Sequence, residues 1–147
     1  MYTIEEFDKQ KTKVLKYILY QKRSEKQIRT KFANSIEENL LEDIIAYLKE
    51  AKYINDSEFI QKTINNFIAL KNLSIREIQY KLMAKGIDKN EIENYINENR
   101  EELKEYEIKS AQNISYKKSI SMEPEEIKQY LLKKGYQLEN IKQALEE

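Results

Sequence analysis

The amino-acid sequence predicts an all-α protein built from three tandem three-helix repeats that together form an elongated, curved structure. Glycine occurs twice and proline once among 147 residues, so turn-forming residues are scarce. Residues that favour helices dominate the remainder. Similar segments also recur about every 50 residues, a period typical of helical-repeat proteins. Because a three-helix unit of this length buries little surface alone, stacked neighbours are expected to complete each core.

Each repeat contains a segment with a clear helix start. The segments are SEKQIRTKFANSIEENLLEDII from Ser24, SIREIQYKLMAKGIDKNEIENYI from Ser74 and EPEEIKQYLLKKGYQLENIKQAL from Glu123. Ser24 with Gln27 and Ser74 with Glu77 fit the capping box, in which the hydroxyl accepts from the third helical amide and that residue's side chain reaches back. In the third segment Pro124 fits the first helical position, where no amide hydrogen is needed.

The ends of these middle helices are also readable. Gly86 and Gly135 follow the second and third, where a residue at positive φ ends a helix at little cost. The first segment has no glycine there, and Asn34 is the residue best able to adopt the left-handed conformation. Residues 117–122 are expected to form a loop or a frayed helix end.

Two further helices complete each predicted repeat. A longer helix precedes each capped segment, and the expected ranges are 5–22, 56–70 and 101–116. A third helix follows each break, giving nine helices in all. The predicted repeats cover residues 1–54, 55–99 and 100–147 and form one structural unit.

Apolar and aromatic residues at helical spacing are expected to form the repeat cores. Tyrosines at such positions are expected to pack in the core with the hydroxyl at its rim; they include Tyr47, Tyr53, Tyr80, Tyr95, Tyr130 and Tyr136.

The composition argues against enzymatic chemistry. Cysteine and histidine are absent, which removes thiolate ligands and the commonest general base and metal ligand. Both glycines are already assigned to helix ends, so none remains to line a phosphate site. We therefore expect no catalytic residues, no cofactor and no metal. The polar start MYTIEEFDKQ and the lack of a long apolar run favour a cytoplasmic protein without a membrane segment.

Positive charge is concentrated near the start of the chain. Nine basic residues and one acid, Glu25, lie between Lys9 and Lys31, although the formal net charge of the whole chain is zero. Such a region can neutralise phosphates, and Tyr17 and Tyr20 within it could stack on bases. Equally, these lysines could form the solvated face of an amphipathic helix with a tyrosine packed on its inner edge. The sequence leaves both interpretations open.

Charge is also sorted between helices. The middle helices carry basic residues, whereas the final helices of the first two repeats are acidic. The stretch KLMAKGIDKNEIENY resembles a helix-turn-helix, but its second helix carries Asp88, Glu91, Glu93 and Glu98 against Lys89. Those carboxylates would be repelled by phosphate, so operator binding through this helix is disfavoured.

The stretch YINDSEFIQKTINNFIALKNLSIREIQYKLMAKGID, residues 53–88, resembles the central repeat of the RecX family of recombination regulators. The C-terminal EEIKQYLLKKGYQLENIKQAL resembles the last repeat of that family, and together the similarity covers most of residues 13–147. The resemblance implies a three-repeat protein that binds the RecA nucleoprotein filament and limits its growth or recombinase activity. It also implies contact with single- or double-stranded DNA. Apart from the resemblance, we expect a monomer that has no membrane association.

The chain departs from the family pattern in two places. The first repeat lacks the glycine, and Ala51 and Lys52 precede Tyr53 where relatives commonly have glycine. The family has no short catalytic signature, so the candidate contact residues come from the charge pattern of this chain. These residues, expected to contact RecA or DNA, are Lys13, Lys16, Lys22, Arg23, Lys26, Arg29, Lys31, Arg76, Lys81, Lys85, Lys133 and Lys134.

Two alternative functions remain open at this stage. One is a helical-repeat adaptor for another protein. The other is a weak, non-specific nucleic-acid-binding module that acts without RecA through residues 9–31. Salt separates these alternatives, because binding driven by phosphate contacts weakens steeply as salt rises.

Overall fold

The computed structural model describes residues 1–146, and nine α-helices lie within that range. In chain order they are α1 (Ile4–Tyr20), α2 (Glu25–Phe32), α3 (Glu38–Glu50), α4 (Asp56–Leu70), α5 (Ile75–Ala84), α6 (Lys89–Glu98), α7 (Arg100–Lys118), α8 (Pro124–Lys133) and α9 (Leu138–Ala144). The predicted all-α class is confirmed. The division of these helices into three repeats stays a prediction.

The first of two compact units contains residues 1–60 and 85–87. Here α1 packs against α2 and α3, and α2 packs against α3. Apolar residues at helical spacing supply its core because each helix buries one face. The buried residues are Val14, Ile18, Ile28, Phe32, Ile36, Leu40, Leu41, Ile44, Ile45, Leu48 and Ile54.

The second compact unit contains residues 61–84 and the chain from Asp88 onward. Its longest helix, α7, packs against α6, α8 and α9. One core cluster of this unit consists of the buried residues Ala111, Ile127, Leu131, Tyr136, Ile141 and Ala144. The burial of Tyr136 agrees with its predicted core position.

Two serines cap middle helices and also hold the end of a later helix. The Ser24 hydroxyl accepts from the third amide of α2 at 3.1 Å and donates to the Lys85 carbonyl at 2.7 Å. The Ser74 hydroxyl accepts from the third amide of α5 at 3.0 Å and donates to the Lys134 carbonyl at 2.7 Å. Both serines are fully buried. The predicted capping boxes are thus present, and each has a second, long-range bond.

The two glycines sit on the aliphatic stems of earlier basic residues. Gly86 has φ 91° and Gly135 has φ 95°, as predicted for residues that end helices. A Cβ on Gly86 would lie 2.5 Å from Cβ of Lys26, and one on Gly135 would lie 2.9 Å from Cβ of Arg76. Glycine is therefore required at both positions for two reasons, the backbone angle and the close contact.

The prediction for Asn34 is wrong. Among the described residues other than glycine, positive φ occurs only at Lys52, Lys71 and Glu146. The chain after α2 continues in right-handed turns, in which the Phe32 carbonyl accepts from the amides of Ser35 at 3.2 Å and Ile36 at 3.0 Å. No left-handed residue is needed there.

Lys52 occupies a left-handed position instead, with φ 66°. The Lys52 amide donates to the Lys49 carbonyl at 3.0 Å and the Tyr53 amide donates to the Leu48 carbonyl at 2.9 Å, which is the Schellman pattern at the end of α3. This is the position at which the family resemblance implies glycine. Farther along the chain, α7 continues to Lys118, and turns cover the rest of the predicted loop at 117–122.

A buried carboxylate ties two helix starts in the second unit. Glu107 is only 1% exposed. It accepts from the Ile75 amide at 2.8 Å, the Gln137 amide at 2.8 Å and Nδ2 of Asn140 at 3.0 Å. Free amides at helix starts favour negative charge, so one side chain satisfies donors at the starts of α5 and α9.

Replacing either glycine with alanine should destabilise the protein. Gly86→Ala and Gly135→Ala each combine an unfavourable φ with a contact that is too close, and we expect a loss of roughly 1–3 kcal/mol. Urea unfolding followed by circular dichroism measures it. As an opposite control, Lys52→Gly relieves a left-handed lysine and should gain up to about 1 kcal/mol. Equal stability of Gly86→Ala and wild type would contradict this account.

The Glu107→Gln variant should lose roughly 2–3 kcal/mol, because an amide group cannot accept three hydrogen bonds and one buried donor is left unpaired. Asp56→Asn is the matched control, since Asp56 is half-buried and accepts from the Glu25 amide at 3.0 Å. Burial raises the pKa of Asp56, so removing its charge also removes a desolvation cost. A larger loss in Asp56→Asn than in Glu107→Gln would refute the assignment.

Candidate partner-binding surface

The structure divides the predicted contact residues by exposure. Eight are exposed and extend from helices or their ends: Lys13, Lys16, Lys26, Lys31, Arg76, Lys81, Lys133 and Lys134. Four are partly buried: Lys22, Arg23, Arg29 and Lys85. The exposed residues carry charge into solvent without a large conformational change, so they remain the stronger candidates for contact with a polyanion or an acidic partner.

Arg29 is engaged inside the first unit. Its Nε donates to Glu25 at 3.0 Å and its Nη2 donates to Glu42 at 3.3 Å, while Nη1 also contacts Glu42. Lys49 contacts Glu25 at 2.9 Å. These hydrogen bonds, chiefly those with Glu42, raise the pKa of Arg29. Burial opposes ionisation of Glu25, yet Lys49 and Arg29 outweigh it and hold the pKa of Glu25 below its usual value.

Lys22 and Arg23 also have partners within the first unit. Lys22 forms an ion pair with Glu58 of α4. The Arg23 guanidinium stacks over the Tyr17 ring at 4.1 Å, and Nε of Arg23 is buried without a hydrogen-bond partner. These contacts reduce the charge that residues 9–31 can offer to a ligand.

The tyrosines of the basic region have different environments. Tyr17 packs edge-on against the buried Phe32 at 5.5 Å, in agreement with the interpretation of an amphipathic helix. Tyr20 is 84% exposed and its ring is available for stacking on a base. The structure therefore supports the packing interpretation for Tyr17 and leaves the stacking interpretation open for Tyr20.

Sequence reasoning missed a groove between α5 and α6. It is lined by Arg76, Gln79, Tyr80 and Met83 of α5 and by Ile92 and Glu93 of α6. Tyr80 is 60% exposed and Met83 is 42% exposed, so the prediction that Tyr80 packs in a core is wrong. Tyr47 and Tyr53, also predicted in a core, are about half exposed. The available signal was Tyr80 and Met83 at positions where the first repeat has Thr30 and Ala33.

We also searched the described residues for metal-binding clusters and membrane-spanning helices. Within residues 1–146, no group of three or more acidic side chains has a geometry that could hold a metal ion. No helix in the same range is both long and apolar enough to cross a bilayer. The surface features of interest within these residues are the exposed basic side chains, the groove between α5 and α6, and a cavity between the end of α7 and the start of α8 that Ser119, Met122 and Pro124 help to line.

The fold and these surfaces define a small all-α protein with basic middle helices and a groove lined by both apolar and charged side chains. No family model matches the chain. It is 30% identical over 149 residues to the regulatory protein RecX of Clostridioides difficile, an alignment that covers 96% of this chain and 68% of that protein. The chain belongs to the RecX family.

Further similarities agree with this assignment. The regulatory protein RecX of Staphylococcus carnosus is 28% identical over 136 residues, covering 90% of this chain and 51% of that protein. The crystal structure of RecX from Lactobacillus salivarius superposes with a TM-score of 0.81 at 23% identity, covering 98% of this chain and 97% of that one. The chain spans about half to two thirds of the length of these curated relatives.

Acid should weaken the first unit through Glu25 and Glu42, the two carboxylates that Arg29 contacts. Because the folded-state pKa of each is lowered, their contribution is present above the unfolded value and is lost as pH falls below about 4. The free energy of unfolding, measured in urea at about pH 6 and about pH 3, should fall less in Arg29→Met than in wild type. Lys31→Met, which removes an exposed lysine, is the control and should fall as wild type does. An equal fall in Arg29→Met would rule out this linkage.

Proposed function

We propose that this chain is a RecA regulator that binds RecA nucleoprotein filaments and inhibits their recombinase and ATPase activity in homologous recombination and DNA repair. The family assignment supports this, because the curated relatives carry the name regulatory protein RecX. The proposal includes a cytoplasmic site of action and no catalytic step by this chain. Such a regulator works by binding one filament state better than another.

The observation that carries the proposal is a set of exposed cations on α5. Within residues 1–146, neither Arg76 nor Lys81 forms an ion pair, unlike Lys22 and Arg29 of the first unit. Unpaired cations interact with a partner without first breaking an internal contact. The helix that bears them is fixed at its start by Ser74 and Glu107, so the charges lie on a rigid support.

The test is charge reversal on α5 and its end. Arg76→Glu, Lys81→Glu and Lys85→Glu together should weaken co-sedimentation with RecA filaments on single-stranded DNA by at least about 10-fold, which corresponds to roughly 1.4 kcal/mol. Inhibition of RecA ATP hydrolysis should weaken in parallel. Arg76 and Lys81 are exposed, and exposed charges contribute little to folding, so their reversal should leave helicity unchanged. Lys85 is partly buried, so circular dichroism of the triple variant checks that its fold is intact.

A matched control reverses the same number of charges on other helices. Lys62→Glu, Lys109→Glu and Lys142→Glu change exposed lysines of α4, α7 and α9. This variant has the same net charge as the test variant, so a general electrostatic effect would weaken both equally. Equal binding by the two variants would refute the assignment to α5. Absence of binding by the wild-type protein would refute the proposed function and favour an adaptor for another protein.

A second candidate function is binding of nucleic acid without RecA. The exposed Tyr20 and the exposed lysines at positions 13 and 16 support it. Fluorescence anisotropy with labelled single-stranded DNA should then show affinity that falls steeply with salt and weakens in Tyr20→Ser. Affinity that does not change with salt would exclude this candidate.

A further inference from the structure

We propose that the groove between α5 and α6 is a docking site for a protein segment that presents a large apolar side chain next to a carboxylate. The inference rests on the proposed function, because it names the chemistry of the partner surface that α5 meets. It adds the apolar side chains of Tyr80 and Met83 to a contact that charge alone would define.

The groove exposes apolar surface that the fold does not cover. Tyr80 and Met83 lie one helical turn apart on α5, and both line the groove. Ile92 of α6, only 1% exposed, also lines it and is held in place by the packing around it. Tyrosine and methionine are enriched at protein interfaces because they offer large contact area, and methionine adapts to its partner.

The equivalent position in the first repeat is closed. Aligning the capping serines places Gln79 where the first repeat has Arg29, and aligning Ile92 with Leu41 places Glu93 where it has Glu42. Arg29 and Glu42 form an ion pair across α2 and α3. Glutamine at position 79 cannot form such a pair with Glu93, so the second repeat lacks this closure.

The side chains along the rim of the groove are larger in the second repeat than at the equivalent positions of the first. Thr30 and Ala33 of α2 stand where α5 has Tyr80 and Met83. In the third segment, Gln129 corresponds to Tyr80. Of the three segments, only the second has a tyrosine and a methionine at these two positions, which indicates a specialised surface rather than a by-product of the repeated fold.

The charges at the rim of the groove indicate that the partner also presents a carboxylate. The stem of Arg76 is held against Gly135, and within residues 1–146 Arg76 has no acidic partner. Lys89, the other cation at the groove, lies 3.9 Å from Glu93. Of the two cations at the groove, Arg76 is therefore the one without a carboxylate, and a carboxylate of the partner would form an ion pair with it.

The same surroundings disfavour nucleic acid at this groove. The cap and body of α6 carry Asp88, Glu91, Glu93 and Glu98, all of them exposed. A phosphate backbone places a charge at every nucleotide and would meet these carboxylates. A protein segment with a single carboxylate at the Arg76 side avoids that repulsion.

The first experiment compares binding to RecA filaments by Tyr80→Ser with Met83→Ser and by a control that changes similar residues elsewhere. The control is Tyr116→Ser with Leu132→Ser, which alters an exposed tyrosine of α7 and the α8 counterpart of Met83. We expect the groove variant to bind at least about 10-fold more weakly and the control to stay within about 2-fold of wild type. Equal binding by the groove variant and wild type would overturn the inference while leaving the proposed function intact.

Photocrosslinking identifies the occupant directly. With p-azidophenylalanine in place of Tyr80, irradiation on assembled filaments should yield a crosslink to RecA, and the crosslinked peptide should contain an acidic residue beside a large apolar one. A crosslink to DNA alone, or to a RecA peptide without an acidic residue, would overturn the inference. If the wild-type protein does not co-sediment with filaments, the proposed function fails and this inference fails with it.

Discussion

The packing depends on the hydrogen bond that the hydroxyl of each capping serine donates to a backbone carbonyl at the end of a later helix. A hydroxyl is both donor and acceptor, so Ser24 and Ser74 can accept from an amide of their own helix while donating to the carbonyl of Lys85 or Lys134. That carbonyl lies at the end of a later middle helix, where four carbonyls lack intrahelical partners. A carboxylate cannot donate in this way when ionised, and the corresponding residue of the third segment is Glu123.

Local features of the fold were predictable because their causes are local. The capping boxes, the proline at the start of α8 and the glycines at positive φ each depend on a few neighbouring residues, and the structure confirms them. The way the chain leaves α2 and α3 was not predictable, because it depends on the path that the chain takes after each helix: Asn34 after α2 is not left-handed, whereas Lys52 after α3 is. Lysine is rarely left-handed, so residue type gave no signal at position 52.

Long-range polar contacts were not predictable, and they decide which charges remain for a partner. Arg29 meets Glu42, and Lys22 meets Glu58, through packing between helices that residue spacing does not reveal. Glu107 looked like an ordinary acid of a long helix until the fold placed two helix starts around it. The unpaired basic residues of the second unit could be recognised only once the structure showed that Lys22 and Arg29 of the first unit are paired with carboxylates. The exposure of Tyr80 is likewise a result of helix packing.

The contact between Gly135 and the stem of Arg76 forms only after most of the chain has been synthesised. Arg76 emerges from the ribosome well before the residue that supports it, so a nascent chain ending before α8 would display this guanidinium on an unsupported stem. The same holds for Lys26, whose support is Gly86. Later parts of the chain therefore fix where these two cations lie. A substitution at either glycine would move a cation on the surface without replacing any basic residue.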